Sequence, residues 1–204
     1  MDLGFRIEVI GRNFFEREPV VCARELVGAT LVWGDCAGVI VETEAYDDEG
    51  DAACHTFFRP SAREFVEREP AGTAYIYLNY GVHWLLNVLV KGERRGFVLV
   101  RALEPIRGLN QMAERRGRDV SDVRSLCSGP GKLTQAIGIG RGEHGMDLCA
   151  DPGRGFVAAN ERAKLVADGR IGISAGTELP WRFTLEGSRF VSRRAKVTRQ
   201  DLPD

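Results

Sequence analysis

The feature that most constrains the fold is a run of alternating side chains over residues 38–46. In an extended strand, successive side chains point to opposite faces. One face of this strand would carry Val39, Val41, Thr43 and Ala45, and the other would carry Ile40, Glu42, Glu44 and Tyr46. We predict that the first face packs on the core. Two carboxylates and a tyrosine are costly to bury and serve nothing if merely solvated, so the second face is a candidate site.

Other segments define the rest of the fold. Strand patterns fall at 29–33, 74–79, 96–102, in the 170s and at 181–185. Helical patterns fall at 20–27, at 107–116 and from Ser128, a candidate N-cap, through Ala136. The strands do not alternate regularly with long helices, which disfavours a doubly wound parallel sheet. The predicted class is α/β in the broad sense, and α+β in detail: a curved, mainly antiparallel sheet surrounded by helices.

Composition restricts the class of protein. Hydrophobic residues make up 44% of the 204 positions, which is too many for a disordered chain and enough for a sizeable core. No apolar run approaches the length of a membrane span, and residues 1–6 lack the layout of a secretory signal. No repeat or linker divides the chain. We therefore expect one domain over residues 1–204, with no membrane association.

The cysteines and histidines argue against a metal or a disulfide framework. The five cysteines are odd in number and irregularly spaced, no C-x-x-C occurs, and there are only three histidines. Reduced thiols are the simplest interpretation. No metal site is expected.

Charge is unevenly distributed although the net charge is only −1. Residues 42–51 carry six acids and no base, residues 91–125 carry nine bases against five acids, and residues 189–199 carry five bases and no acid. Basic surfaces of this kind could face phosphates, or they could simply be solvated. Charge alone favours the solvated surface.

Two further strands place polar and aromatic residues on single faces. Tyr75, Tyr77 and Asn79 share one face of the strand at 74–79, while Phe97, Leu99 and Arg101 share one face of the strand at 96–102. A carboxylate, an arginine and several aromatic rings could therefore converge on one pocket. The alternative is that Glu44 and Arg101 form a structural ion pair among ordinary half-buried tyrosines.

Several motifs in one order resemble the alkyladenine (3-methyladenine) DNA glycosylase family. They are VETEAY at 41–46, His55, YIYLNYG at 75–81, Asn87, LVRALEP at 99–105, LCSGP at 126–130, RIGI at 170–173 and WRF at 181–183. The resemblance extends over residues 12–192. It implies a monofunctional hydrolase that flips alkylated or deaminated purines out of duplex DNA and cleaves the N-glycosidic bond. The purines implied are 3-methyladenine, 7-methylguanine, hypoxanthine and ethenoadenine.

The resemblance also implies a role for each matched residue. Glu44 would be the general base for the attacking water, and Arg101 would help to hold that water together with a backbone carbonyl near Ile171. The remaining matches would contact the DNA: Tyr46, His55 and Tyr77 as walls stacking on the flipped base, Asn87 as a gate against the amine of guanine, and Tyr80 as the intercalating wedge.

The resemblance implies damaged double-stranded DNA as the partner of a monomer, and no cofactor. The expected location is the cytoplasm, associated with the nucleoid, in a bacterium, or the nucleus in a eukaryote. Cys54 and Asn79 depart from the usual family pattern, and residues 56–70 follow no readable pattern. Two other hypotheses are a catalytically silent nucleic-acid-binding module, which the presence of Glu44 and Arg101 disfavours, and a nucleoside hydrolase, which would have no use for Tyr80.

Overall fold

One antiparallel sheet organises the fold. The computed structural model describes residues 8–151 and 153–194. Within them the strands are β1 (Thr30–Trp33), β2 (Cys36–Asp47), β3 (Ala74–Asn79), β4 (His83–Lys91), β5 (Arg95–Arg107), β6 (Arg154–Val157), β7 (Leu165–Asp168) and β8 (Arg182–Leu185). The strands run in the order β3-β4-β5-β2-β1-β6, and every pairing between them is antiparallel.

The sheet divides at β2, its central strand. One edge of β2 pairs with β5 along most of its length. The other edge pairs first with β1, through residues 36–39, and then with β8, through residues 42–44. Because β2 changes partner midway, the sheet curls, and the carboxyl half of β2 faces a concave surface.

Short helices cover both faces of this sheet. They are α1 (Arg12–Phe15), α2 (Pro19–Leu26), α3 (His55–Phe58), α4 (Pro60–Arg68), α5 (Leu109–Arg116), α6 (Val123–Leu126) and α7 (Pro130–Ile137). Proline opens α2, α4 and α7, where its missing N–H costs no helical hydrogen bond. Left-handed glycines, Gly117 and Gly138, end α5 and α7.

A single main core joins elements from Ile10 to Phe183, so the described residues form one domain. It lies between the sheet and the helices α2, α5, α6 and α7. A second cluster lies under α3 and α4 and includes Cys54, Phe65 and Tyr75. Cys54 is therefore a small buried core residue, and its departure from the family pattern concerns packing.

A β-bulge in β2 corrects the predicted faces of that strand. Pairing with β5 shifts register around Val41, so two successive residues of β2 oppose one residue of β5. Ile40 consequently packs in the main core with Ala45, whereas Val41 packs in a third cluster with Ala102. Thr43 and Ala45 face the core as predicted. Val41 is buried as predicted, although in the third cluster, whereas Val39 is only half-buried. The prediction that places Ile40 on the opposite face is wrong, because strict alternation fails across a bulge.

Other elements were partly predicted. The helices α2, α5 and α7 and the strands β1, β2, β3, β5 and β8 are confirmed to within a few residues. The strand predicted in the 170s is wrong, since that segment is a loop. Ser128 is not an N-cap, because Gly129 precedes α7 and Ser128 bridges Ala102 of β5 instead.

No helix within residues 8–151 and 153–194 is long and apolar enough to cross a membrane. Residues 1–6, and Lys196 and Arg199 of the basic carboxyl-terminal segment, lie outside the described residues.

Candidate active site

A cavity of about 430 Å³ opens on the concave face of the sheet. Alternate residues of neighbouring strands line it: Tyr46, Tyr77, Asn79, Leu85, Asn87, Phe97, Leu99 and Arg101. The loop at 171–175, together with His55, Phe58 and Arg59 near α3, forms the remaining wall. The predicted convergence of strand faces on one pocket is therefore correct, and β4, which was not predicted, completes it.

Glu44 is completely buried beside this cavity, with donors at both carboxylate oxygens. Oε1 accepts the backbone N–H of Ile171 at 2.7 Å. Oε2 accepts the Tyr46 hydroxyl at 2.8 Å and Nη1 of Arg101 at 3.0 Å. These donors compensate the cost of burying the negative charge. Ile171 meets Glu44 through its amide, and the predicted carbonyl contact with water stays a prediction.

Arg101 continues this contact into a buried chain of charges. Its Nε donates to Oε1 of Glu42 at 3.0 Å, and Nε of Arg182 donates to the same oxygen at 2.7 Å. Ser192 adds its backbone N–H and hydroxyl to Glu42, at 2.6 and 2.8 Å. The chain thus holds the Arg101 guanidinium through Nε, while Nη1 contacts Glu44.

Glu42 is ionised in this network. Burial by itself would raise its pKa, but the charges of Arg101 and Arg182, with the hydrogen bonds from Arg182 and Ser192, bring the pKa below its usual value. The sequence placed Glu42 on the same strand face as Glu44 but assigned it no role. The signal was present in the repeated carboxylate at 42 and 44.

Aromatic rings form the walls of the cavity. The His55 and Tyr77 rings lie with centroids 4.3 Å apart, and Nδ1 of His55 is 3.0 Å from the Tyr75 hydroxyl. Tyr46 lies in β2, where its hydroxyl donates a hydrogen bond to Glu44. The structure therefore brings together all three residues predicted to stack on a base.

Burial keeps these side chains neutral. It raises the pKa of Tyr77 to about 12, with nearby Tyr75 adding to the effect. Burial, followed by the neighbouring Glu44 carboxylate, raises the pKa of Tyr46 well above its ordinary value. Burial also lowers the pKa of His55 to about 4, and the positive charge of Arg59 contributes. The rings are therefore flat, uncharged surfaces at neutral pH.

A buried ion pair anchors the loop that carries Ile171. Arg170 donates Nη1 and Nη2 to the two oxygens of Asp51, at 2.5 and 2.7 Å, and donates to the carbonyls of Ala45 and Gly176. A Cβ on Gly176, where φ is +60°, would lie 2.9 Å from Asp51 Oδ1, so glycine is required. Neither member of this pair was predicted as a site residue.

The acidic run over residues 42–51 is not a solvated surface. Glu42, Glu44, Asp47 and Asp51 are all at most 2% exposed. Each forms an ion pair with an arginine from a distant part of the chain. Glu42 pairs with Arg101 and Arg182, and Glu44 also pairs with Arg101. Asp47 pairs with Arg94, and Asp51 pairs with Arg170. These four charges are therefore compensated in the interior.

Asn87 lies in β4 and is 3% exposed, with its amide nitrogen 3.2 Å from the Tyr75 carbonyl. It lines the cavity and also bridges a buried backbone group. The position in the cavity is compatible with the predicted gate, and the hydrogen bond to the Tyr75 carbonyl is compatible with a structural role.

Tyr80 occupies the tip of the turn between β3 and β4. Its ring is 85% exposed, and its φ of +50° is the single positive value of a non-glycine residue in the described chain. Gly81 follows at +69°, and Val82 closes the turn by donating to the Asn79 carbonyl at 3.0 Å. Two successive positive φ values are typical of a type I′ hairpin turn. A tyrosine rarely adopts this conformation, so the turn presents the Tyr80 ring to solvent at a cost in backbone strain.

No metal site is found in the chain described here: no three His, Cys, Asp or Glu side chains are grouped to hold an ion. The chemistry available at the cavity is that of a compensated carboxylate and an arginine beside flat aromatic surfaces. This arrangement is suited to an enzyme that binds a planar ring beside a buried carboxylate.

Comparisons with known proteins specify the class. The profile of the methylpurine-DNA glycosylase (MPG) family matches residues 13–189. A Rhodopseudomonas palustris protein named "Putative 3-methyladenine DNA glycosylase" is 46% identical over 189 residues, covering 91% of this chain and 88% of its own. Proteins of the same name from Nitrosospira multiformis and Rhizobium meliloti are 44% and 45% identical, covering 88% and 89% of this chain and 91% and 95% of their own.

The chain belongs to the methylpurine-DNA glycosylase family. The prediction of a DNA glycosylase, a hydrolase of the N-glycosidic bond with a role in DNA repair, is confirmed at the level of this family.

Proposed function

We propose that this protein binds duplex DNA as a monomer, flips a damaged purine nucleotide into the 430 Å³ cavity and hydrolyses its N-glycosidic bond without cutting the strand. The substrates are 3-methyladenine, 7-methylguanine, hypoxanthine and ethenoadenine. The observation that carries the proposal is the buried Glu44 carboxylate, which accepts hydrogen bonds from three residues that line the cavity: Tyr46, Arg101 and Ile171. A base stacked in a duplex is out of reach of such a cavity, so extrusion must come first.

The hydrogen bonds of Glu44 support its role as the general base. Its Oε2 already accepts two donors, whereas among the described residues Oε1 accepts only the Ile171 amide. A carboxylate oxygen has room for a second donor, so a water can bind to Oε1. Glu44 then takes the proton as the water attacks the sugar, and its charge stabilises the developing oxocarbenium ion.

Arg101 supports the same step by orienting Glu44. It lines the cavity and donates Nη1 to Glu44, while its Nε donates to Glu42. The guanidinium therefore orients both the carboxylate and the water. In the described residues no lysine lines the cavity to act as an amine nucleophile, which is consistent with hydrolysis without strand cleavage.

The exposed ring of Tyr80 is suited to fill the gap left by the flipped nucleotide. The relatives reported above come from bacteria, so we place the enzyme with the DNA of a bacterial nucleoid.

The test is base release from duplexes that carry each of the four lesions, followed by alkaline cleavage of the abasic strand. We expect wild-type protein to release lesions but to leave strands intact without alkali. Glu44→Gln keeps the shape but cannot accept a proton, so release should fall by at least about 10²-fold while lesion binding persists.

Three results would contradict the proposal. They are release by Glu44→Gln close to the wild-type rate, cleavage of a free nucleoside in preference to DNA, and lesion binding by the wild type without release.

A further inference from the structure

Arg59 places an uncompensated positive charge at the cavity. It follows α3, it lines the cavity, and its side chain is exposed to solvent. Arg101 is the other charged residue among those lining the cavity, and it is paired with Glu42 and Glu44. Within residues 8–151 and 153–194, no carboxylate forms an ion pair with Arg59.

Arg59 also lies close to one of the aromatic walls of the cavity. Its guanidinium carbon lies 5.6 Å from the centre of the Tyr77 ring, and that of Arg170 lies 4.7 Å from the centre of the Tyr46 ring. Each tyrosine wall therefore already interacts with a guanidinium. A cation at a ring weakens the attraction of that ring for a second cation, because both draw on the same quadrupole.

The pKa of His55 is also affected by the positive charge of Arg59. His55 lines the same wall, and the charge of Arg59 adds to burial in holding the pKa of that imidazole at about 4. The neighbourhood thus disfavours a proton on a ring that lies where a base would stack.

We infer that Arg59 is a specificity-determining residue that disfavours positively charged purines and favours neutral damaged purines. This inference rests on the proposed function. Methylation at N3 of adenine or at N7 of guanine leaves a cationic base in the nucleotide, whereas hypoxanthine and ethenoadenine are neutral. A cationic base between Tyr46 and Tyr77 meets the charge of Arg59, which no carboxylate of the described residues pairs with, whereas the Glu44 carboxylate is already paired with Arg101.

The experiment compares single-turnover release of 7-methylguanine and hypoxanthine from the same duplex sequence. Arg59→Gln removes the charge and keeps much of the side chain. We expect its 7-methylguanine rate to rise about three- to tenfold relative to its hypoxanthine rate, a modest effect because the charge is exposed and screened. Arg59→Lys keeps the charge and should keep the wild-type ratio.

Arg68→Gln is the matched control, since Arg68 is an exposed arginine at the far end of α4. It should leave the ratio unchanged. Salt gives an independent readout: raising its concentration should shift the wild-type ratio toward 7-methylguanine but leave the Arg59→Gln ratio constant, because DNA binding contributes equally to both lesions.

Two results would overturn the inference. An equal loss of both activities in Arg59→Gln would make Arg59 a phosphate contact, and an unchanged ratio would deny it any role in selection. Failure of the proposed function is a separate result, because wild-type protein would then release neither base.

Discussion

Asp51 and Arg170 form a two-point ion pair, and neither side chain has any solvent exposure. Asp51 lies just after β2, and Arg170 precedes the loop that donates the Ile171 amide to Glu44. The Arg170 guanidinium also lies against the rings of Tyr46 and Trp181. This one contact therefore fixes the Tyr46 wall of the cavity relative to the loop that donates a hydrogen bond to Glu44.

Asp51→Asn should reveal the cost of breaking that pair. An unpaired buried arginine destabilises a fold strongly, so we expect the free energy of unfolding to fall by about 3–5 kcal/mol. Urea denaturation measures the change. Asp48→Asn is the matched control, because the Asp48–Arg95 pair is partly exposed and should contribute about 1 kcal/mol or less. Equal effects of the two substitutions would contradict the assignment.

Tyr80→Ser should reduce release from duplex DNA by about tenfold or more while changing release from single strands little. A wedge is needed only where a stacked base is extruded and its gap must be filled. Release assays on the two substrates measure the effect, and Tyr80→Phe should retain activity on both. Parallel losses on both substrates would mean that Tyr80 acts in the cavity or the fold.

Asn87→Ala should widen the substrate range toward guanine bases. If Asn87 obstructs the guanine amine, its removal should raise release of 7-methylguanine or undamaged guanine relative to hypoxanthine by about tenfold. The lost hydrogen bond to the Tyr75 carbonyl should cost only about 1 kcal/mol of stability. A fall in every activity together with a large drop in melting temperature would leave Asn87 as a structural residue only.

His55 should make stability depend on pH in a defined window. Its pKa is about 4 in the folded protein, against an ordinary value of 6.5. Between these values the unfolded chain binds a proton that the folded chain does not. The contribution of His55 to stability is therefore present above about pH 6.5 and is lost as the pH falls through the folded pKa.

Urea denaturation at about pH 7 and about pH 4.5 measures this loss. The free energy of unfolding of wild-type protein should fall more between these values than that of His55→Gln, which has no proton to bind. The same pH dependence in both proteins would show that His55 is not buried as a neutral ring.

Much of the site could be predicted from local sequence. Tyr46 and Glu44 are two positions apart on one strand, and their side chains contact each other at 2.8 Å as alternation requires. The same period placed Tyr77 with Asn79, and Leu99 with Arg101, on faces that do line the cavity. The resemblance then supplied roles for these residues, including Asn87 on a strand that the pattern had not indicated.

The bulge at Val41 and the position of Arg59 could not be predicted in this way. A bulge depends on how β2 registers with β5, which is a property of two strands and not of one. Residues 55–68 form two short helices separated at Arg59, so no helical period is long enough to be recognised.

The sequence by itself determined which residues share a strand face wherever no bulge intervenes, because backbone geometry sets that over two or four positions. Only the tertiary structure decided which charges compensate one another. Glu42 and Arg101 are 59 positions apart, and Asp51 and Arg170 are 119 apart. Composition records both sets of charges but not their pairing. The curl of the sheet around β2 brings these charges into contact, and four acids of the run 42–51 thereby become the buried support of the site.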